Sequence, residues 1–320
     1  MQMTGPGQGH DRQTSNAVLM VRPASFAFNA ETAASNAFAR CAEATDIRTQ
    51  VHAEFDGVVR RLLDAGVDTL VLDDSAHPVK PDAIFPNNWV SFHGDGTMVL
   101  YPMAATTRRL ERQPGRVCEL LVAKGFTVSR TINLSLQEER GHFVEGTGSL
   151  VLDRPRRRAY ANLSPRTHPE AVAEFATRLG FSTFLFDAAD PAGQPIYHTN
   201  VVMSLGTRFA LLCLDAVPGP RRQLLIDDIE ASGRTVIPVT FDQVQHFACN
   251  VIELENGHGD LLIALSSTAL ASLRGNQTAL LETLSGELID ADIPTIESVG
   301  GGGVRCMIAD IHLPRRAATD

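Results

Sequence analysis

The sequence predicts an α/β fold of five pseudo-symmetric hairpin–helix–strand units closed into one ring. Three observations carry that reading. Four paired β-runs, each joined by a turn signal, recur at intervals of about 50–60 residues, a spacing expected of repeat architectures. Each pair is followed by a helix-like stretch and then a short β-run. The two ends of the chain hold the separate halves of a fifth unit.

The first hairpin reads NWVSF-HGDGT-MVLYP at 88–102, and the second GSLVL-DRPRR-RAYANL at 148–163. NVVMS-LGT-RFALLCL at 200–214 and NVIEL-ENGHGD-LLIAL at 250–265 complete the set. Gly- or Pro-containing links between β-branched runs are hairpin chemistry. Helices are expected over 106–124, 167–179, 219–232 and 267–287; AVAEFATRL at 171–179 shows an apolar helical face most clearly. The closing β-runs are FTVSRTI (126–132), FSTFLF (181–186), RTVIPV (234–239) and IPTIESV (293–299). In the fifth unit VRCMIADIHL at 304–313 pairs with AVLMVRP at 17–23, VHAEFDGVVRRLLDAG at 51–66 is the helix, and DTLVLDD at 68–74 the last strand. Terminal pairing leaves no free edge at the seam.

Composition narrows the functional classes. A chain of 320 residues with 44% hydrophobic and 20% charged residues can bury a large core. Residues 17–320 are read as one domain, and the polar, Gly-rich residues 1–16 as a disordered tail. A net charge of −9 argues against nucleic-acid and anionic-membrane partners, and the Arg clusters at 154–158 and 315–316 are too short for a basic stripe. Five scattered cysteines with no C-x-x-C pair suggest reduced thiols in a cytoplasm. Neither a metal nor another cofactor is expected, since Cys and His show no ligand spacing.

In a ring, the starts of equivalent hairpins converge near the axis. The polar residues there are Asp82, Asn87, Asn88, Glu145, His198, Asn200, Cys249, Asn250 and Cys306. A carboxylate, an imidazole and a thiol arriving from separate units form a nucleophile–base–orienter set. Four glycines, Gly300 to Gly303, run into Cys306 and allow close backbone approach, while the adjacent Arg305 is expected to favour the thiolate.

At these residues the chain resembles the guanidino-group-modifying superfamily (the penteins), which includes arginine deiminases, dimethylarginine dimethylaminohydrolases and glycine amidinotransferases. It is most similar to the citrulline-utilization hydrolases (CtlX type). The matching pieces are MVRPASFAFNAET (20–32), PDAIFPNNWVSFH (81–93), VEGTGSLVLD (144–153), NLSPRT (162–167), YHTNVVMSLG (197–206), FACNVIEL (247–254) and GGGVRCM (301–307). The resemblance implies a five-bladed α/β propeller. It implies Cys306 as nucleophile, His198 as general acid/base, and Glu145 as the carboxylate that holds the substrate nitrogen and orients the histidine. Arg166 would grip the α-carboxylate and Asp82 would sit near the α-amino group. Arg22, Phe26 and Asn29 fall in a substrate-flanking segment, His246 and Asn250 in a structural motif. A small amino acid is the expected partner, and a homodimer is compatible with the resemblance.

The sequence departs from arginine deiminases where they place aspartates and this chain has Asn88 and Asn200. A guanidinium offers only donors and a positive charge, so it suits carboxylates; a ureido group is neutral and its carbonyl needs a donor, which Asn supplies. The exchanges point to citrulline hydrolysis, giving ornithine, ammonia and carbon dioxide through a covalent thiol adduct. Arginine deiminase or dihydrolase and amidinotransferase activities stay open, as does a non-catalytic amino-acid-binding propeller.

Overall fold

A computed structural model describes residues 12–33, 35–36, 38–41 and 47–316. Fifteen strands are present among the described residues: β1 (Ala17–Arg22), β2 (Asp68–Asp73), β3 (Val90–Phe92), β4 (Thr97–Leu100), β5 (Arg130–Asn133), β6 (Val151–Asp153), β7 (Arg158–Leu163) and β8 (Ser182–Asp187). They continue with β9 (Met203–Leu205), β10 (Phe209–Leu212), β11 (Thr235–Pro238), β12 (Ile252–Glu255), β13 (Leu261–Ser266), β14 (Glu287–Ala291) and β15 (Ala309–Asp310). They form five three-stranded sheets, ordered β15-β1-β2, β3-β4-β5, β6-β7-β8, β9-β10-β11 and β12-β13-β14. In every sheet the first pair is antiparallel and the second parallel. The hairpin supplies the antiparallel pair, and the helix supplies the crossover a parallel neighbour requires.

Local sequence accounts for these elements. The middle strands β4 and β10 are buried along their whole length on both faces, and β10 is apolar throughout. Third strands such as β2 and β8 alternate, with only every second residue buried. The helix Pro169–Leu179 begins on a proline at its first turn, buries Ala171, Val172, Phe175 and Leu179, and ends at left-handed Gly180 (φ 71°). The remaining crossover helices are Ile47–Asp64, Pro114–Ala123, Gly219–Glu230 and Gly275–Leu284.

The predicted pairing of the chain ends is present. β1 pairs antiparallel with β15, Val18 opposite Asp310 and Leu19 opposite Ala309. Three sequence expectations are corrected. The last strand of the fourth unit is β14, not IPTIESV, because Gly286 ends the preceding helix early and Ile296–Gly300 coils into a π-helical turn beneath the site. The helices expected at 106–124 and 267–287 are each broken in two, one before Pro114 and one before Gly275. Residues 12–16, read as part of the tail, are fixed: Gln13 donates to the Leu152 and Leu205 carbonyls, and Ser15 is buried against Ile311. Residues 1–11 lie outside the described residues.

What matters for the site is where hairpins begin. Four of the five open with a short helical turn: Pro86–Asn88, Gly146–Ser149, Thr199–Val201 and, before β15, Val304–Met307. The turn at 146–149 touches those at 86–88 and 199–201, and the turn at 86–88 touches that at 304–307. Residues more than a hundred positions apart thereby meet.

Candidate active site

Glycine makes this contact tight enough. A Cβ on Gly148 would lie 2.5 Å from Asn88 Nδ2 and 2.7 Å from His198 Nδ1, so only a bare backbone lets three units close together. Gly301 is left-handed (φ 65°), and a Cβ there would meet Asn36 at 2.5 Å. The glycine run before Cys306 therefore serves packing: Gly300 and Gly302 lie under the Phe85 ring, and Gly303 under Asn250.

Glu145, at the start of the turn Gly146–Ser149, is fully buried. Its Oε2 lies 2.8 Å from His198 Nε2 and 3.5 Å from an Arg166 nitrogen, while Oε1 accepts from the Ala104 amide at 3.0 Å. Burial pushes this carboxyl up, but Arg166, the His198 hydrogen bond and Arg108 outweigh it and hold the pKa at about 2. An ionised carboxylate only accepts, so His198 must donate through Nε2 and carry its lone pair on Nδ1. Burial lowers the His198 pKa, with Glu145 opposing, so the resting imidazole is neutral.

Cys306 is buried and accepts from Asn250 Nδ2 at 3.1 Å and from Asn200 Nδ2 at 3.8 Å. Burial raises its pKa above the ordinary thiol value; Asn250, Arg305 and Asn200 pull the other way and do not overcome it. Arg305 thus favours the thiolate in direction, as expected, but too weakly to offset burial, its guanidinium being directed to the Ile308 carbonyl and Asp310. At rest the site holds a neutral thiol and a neutral imidazole. Alkylation of Cys306 by iodoacetamide should accordingly stay slow near neutrality and keep accelerating past the ordinary thiol pKa; a plateau below about pH 8 would contradict this.

A cavity of about 20 Å³ is lined by Cys306, His198, Asn88, Asp82, Arg108, Arg166 and Tyr197, with Thr32, Asn36, Phe85 and Gly300 to Gly302 completing the wall. Cys306 and His198 share it, as the sequence reading requires. Asp82 accepts from Asn29 Nδ2 (2.9 Å) and Thr32 Oγ1 (3.2 Å) and lies 3.8 Å from Arg108. Arg166 donates to the Thr32 carbonyl and to Ser35 Oγ and stacks on Tyr197 at 4.8 Å.

Several expected residues fall elsewhere. Arg22 is half-exposed and paired with Asp56 (2.6 Å) on the helix Ile47–Asp64, because it ends β1 pointing at that helix. Phe26 packs against Gly300 beneath the cavity, and Asn29 stands behind Asp82. Asn200 contacts the sulfur from behind and does not line the cavity. Cys249 lies in the core with Cys213, and His246 closes the helix Phe241–Gln245 through the Asp242 carbonyl.

The residue that sequence reasoning missed is Arg108. It is 3% exposed, donates bidentately to Glu111 (2.9 Å each) and gives Nη1 to Asn88 Oδ1 at 2.7 Å. Burial pushes Glu111 up to about 7 against the pull of Arg108. Arg and Glu three apart on a short polar helix read as a solvated face, so no local signal marked the pair.

A buried thiol, imidazole and carboxylate come together on this five-sheet α/β scaffold, and the chain falls in the guanidino-group-modifying superfamily. The chain belongs to the family described as N,N dimethylarginine dimethylhydrolase, eukaryotic, whose profile matches residues 22–313. No curated protein sequence matches it. Among solved structures, the cyanobacterial arginine dihydrolase ArgZ superposes with a TM-score of 0.73 at 15% identity, over 94% of this chain and 41% of that one. Its separate N-terminal domain, bound to substrate, gives 0.72 at 14% identity over 92% and 97%. DDAH from Pseudomonas aeruginosa in complex with citrulline gives 0.63 at 14%, over 92% and 99%. The chain therefore spans about two fifths of full-length ArgZ and nearly all of its N-terminal domain. At such identities the likeness establishes the fold.

Proposed function

We propose that the chain is a cysteine-dependent hydrolase of the terminal ureido or guanidino carbon of a free amino acid, with citrulline as preferred substrate. The five sheets are taken as blades of one propeller, since β15 touches β3, β6 touches β9, and β9 touches β12. Five free cysteines suit a reducing cytoplasm.

The choice of citrulline rests on the Arg108–Asn88 bond. Arginine has no acceptor, so it fixes the amide with Oδ1 toward itself and leaves Asn88 Nδ2, buried and unpartnered, as a donor. A ureido oxygen satisfies that donor; a guanidinium, all donors, opposes it.

In the proposed reaction His198 Nδ1 takes the Cys306 proton as Sγ attacks the ureido carbon, then passes it to the departing nitrogen. The resulting thiocarbamate is cleaved by a water that gives its proton to His198. One water is consumed, and ornithine, ammonia and carbon dioxide leave. Asp82 and Arg166 suit an α-ammonium and an α-carboxylate, and both now bond Asn29, Thr32 or Ser35, so the amino acid binds by replacing those contacts. About 20 Å³ admits water alone, which makes that replacement necessary.

The test is ornithine and ammonia release from citrulline, arginine, methylarginines and agmatine, with an arginine-plus-glycine control for guanidinoacetate. Citrulline should be turned over best and agmatine, lacking the carboxylate, hardly at all. Asn88→Asp should lower kcat/KM for citrulline by about 10²–10³, the cost of one misplaced oxyanion donor, and favour arginine relative to it. Arginine outperforming citrulline in the unaltered chain would refute the substrate assignment and leave the hydrolase chemistry standing.

A further inference from the structure

His142, His168 and Glu170 meet away from the cavity, and the mechanism uses none of them. Each offers one ligand atom, and these atoms all lie within 4.8 Å of one another. The two imidazoles are stacked, centroids 4.5 Å apart and 13° from parallel, and Glu170 Oε2 lies 2.8 Å from His168 Nδ1. His142 Nδ1 is buried and has no hydrogen-bond partner. A ring nitrogen left without a partner beside a second imidazole and a carboxylate is costly, and coordination would remove the cost.

We propose that these three side chains form a peripheral site for a divalent transition cation of the zinc type. Two imidazoles and one carboxylate are the borderline donors such ions prefer over the all-oxygen shells of calcium or magnesium. A tetrahedral ion with bonds near 2.0–2.1 Å needs its ligand atoms about 3.4 Å apart, so side-chain rotations of about an ångström complete the set, with water as fourth ligand. Glu170 and His168 are free to make them, their side chains being 59% and 39% exposed.

The position gives the site a role. His142 follows left-handed Gly141 and stands three residues before Glu145; His168 caps the helix Pro169–Leu179 two residues after Arg166. The two loops already touch through the His168 amide on the Phe143 carbonyl and a bridge between Val144 and Thr167. A bound ion adds a second fastening between the segments that carry the catalytic carboxylate and the proposed carboxylate-binding arginine.

The experiment is calorimetric titration of Zn²⁺ into the full chain carrying Cys306→Ser, which removes the thiol that would otherwise compete. One ion should bind per chain, with a rise in Tm. His142→Gln and His168→Gln, separately and together, should each weaken binding by at least about tenfold and abolish the Tm rise. Exposed Glu170→Gln gives the same reading without disturbing folding. Co²⁺ should show a tetrahedral visible band that the double variant lacks. No binding to the Cys306→Ser chain, or binding unchanged by His142→Gln, overturns the site. Neither result bears on the hydrolase reading.

Discussion

Replacing Cys306 by Ser is expected to abolish turnover, by about 10⁴-fold or more, together with any covalent adduct in acid-quenched samples. Sulfur suits this site because its acidity, although lowered by burial, stays within reach of a neutral imidazole, whereas a serine hydroxyl is several pK units weaker. The Asn250 and Asn200 amides donate to the sulfur and stabilise the anion as it forms. Mass spectrometry of quenched reactions is the measurement. Full activity in the serine variant would end the covalent mechanism, and a persistent adduct on it would move the nucleophile elsewhere.

Glu145→Gln should cost about 10³–10⁴ in kcat with a much smaller change in KM, the scale seen when a buried orienting carboxylate becomes an amide. One carboxylate oxygen accepts from His198 and is ion-paired with Arg166 at 3.5 Å, and the other accepts from the Ala104 amide. A glutamine must aim its NH₂ at one of those donors. Facing His198, it turns Nε2 into the acceptor and leaves the proton on Nδ1, the atom that must receive the thiol proton. Facing Ala104, it opposes an amide N–H. Both arrangements also leave Arg166 without a counter-charge, so Tm should fall too. A variant retaining most of its kcat would show that the imidazole needs no such partner.

How much of this was legible in the sequence varied with distance along the chain. Hairpin spacing and the alternation of short β-runs marked the five units, because strand period and turn chemistry act over a few residues. Cys306, His198 and Glu145 could be placed near one another because each opens a unit, and equivalent openings meet. The same rule misplaced Asn200 and Cys249, which sit at equivalent positions but face the back of the sulfur and the core. Arg22 failed for a related reason: β1 is buried along its length, and nothing local says that its last side chain turns to Asp56.

The chain's own order of residues determined the repeated unit and the pairing of its ends, since each follows from local periodicity multiplied five times. Tertiary structure alone decided the electrostatics. Arg108 becomes a buried partner of Asn88 and Glu111 only when the first unit is folded, and that contact sets the direction in which the Asn88 amide donates. His142 and His168, 26 positions apart, likewise come into register through two loops that no short-range pattern links. Charge and hydrogen-bond direction depend on which atoms lie within a few ångströms, and the folded chain brings those atoms from distant positions such as Glu145 and His198.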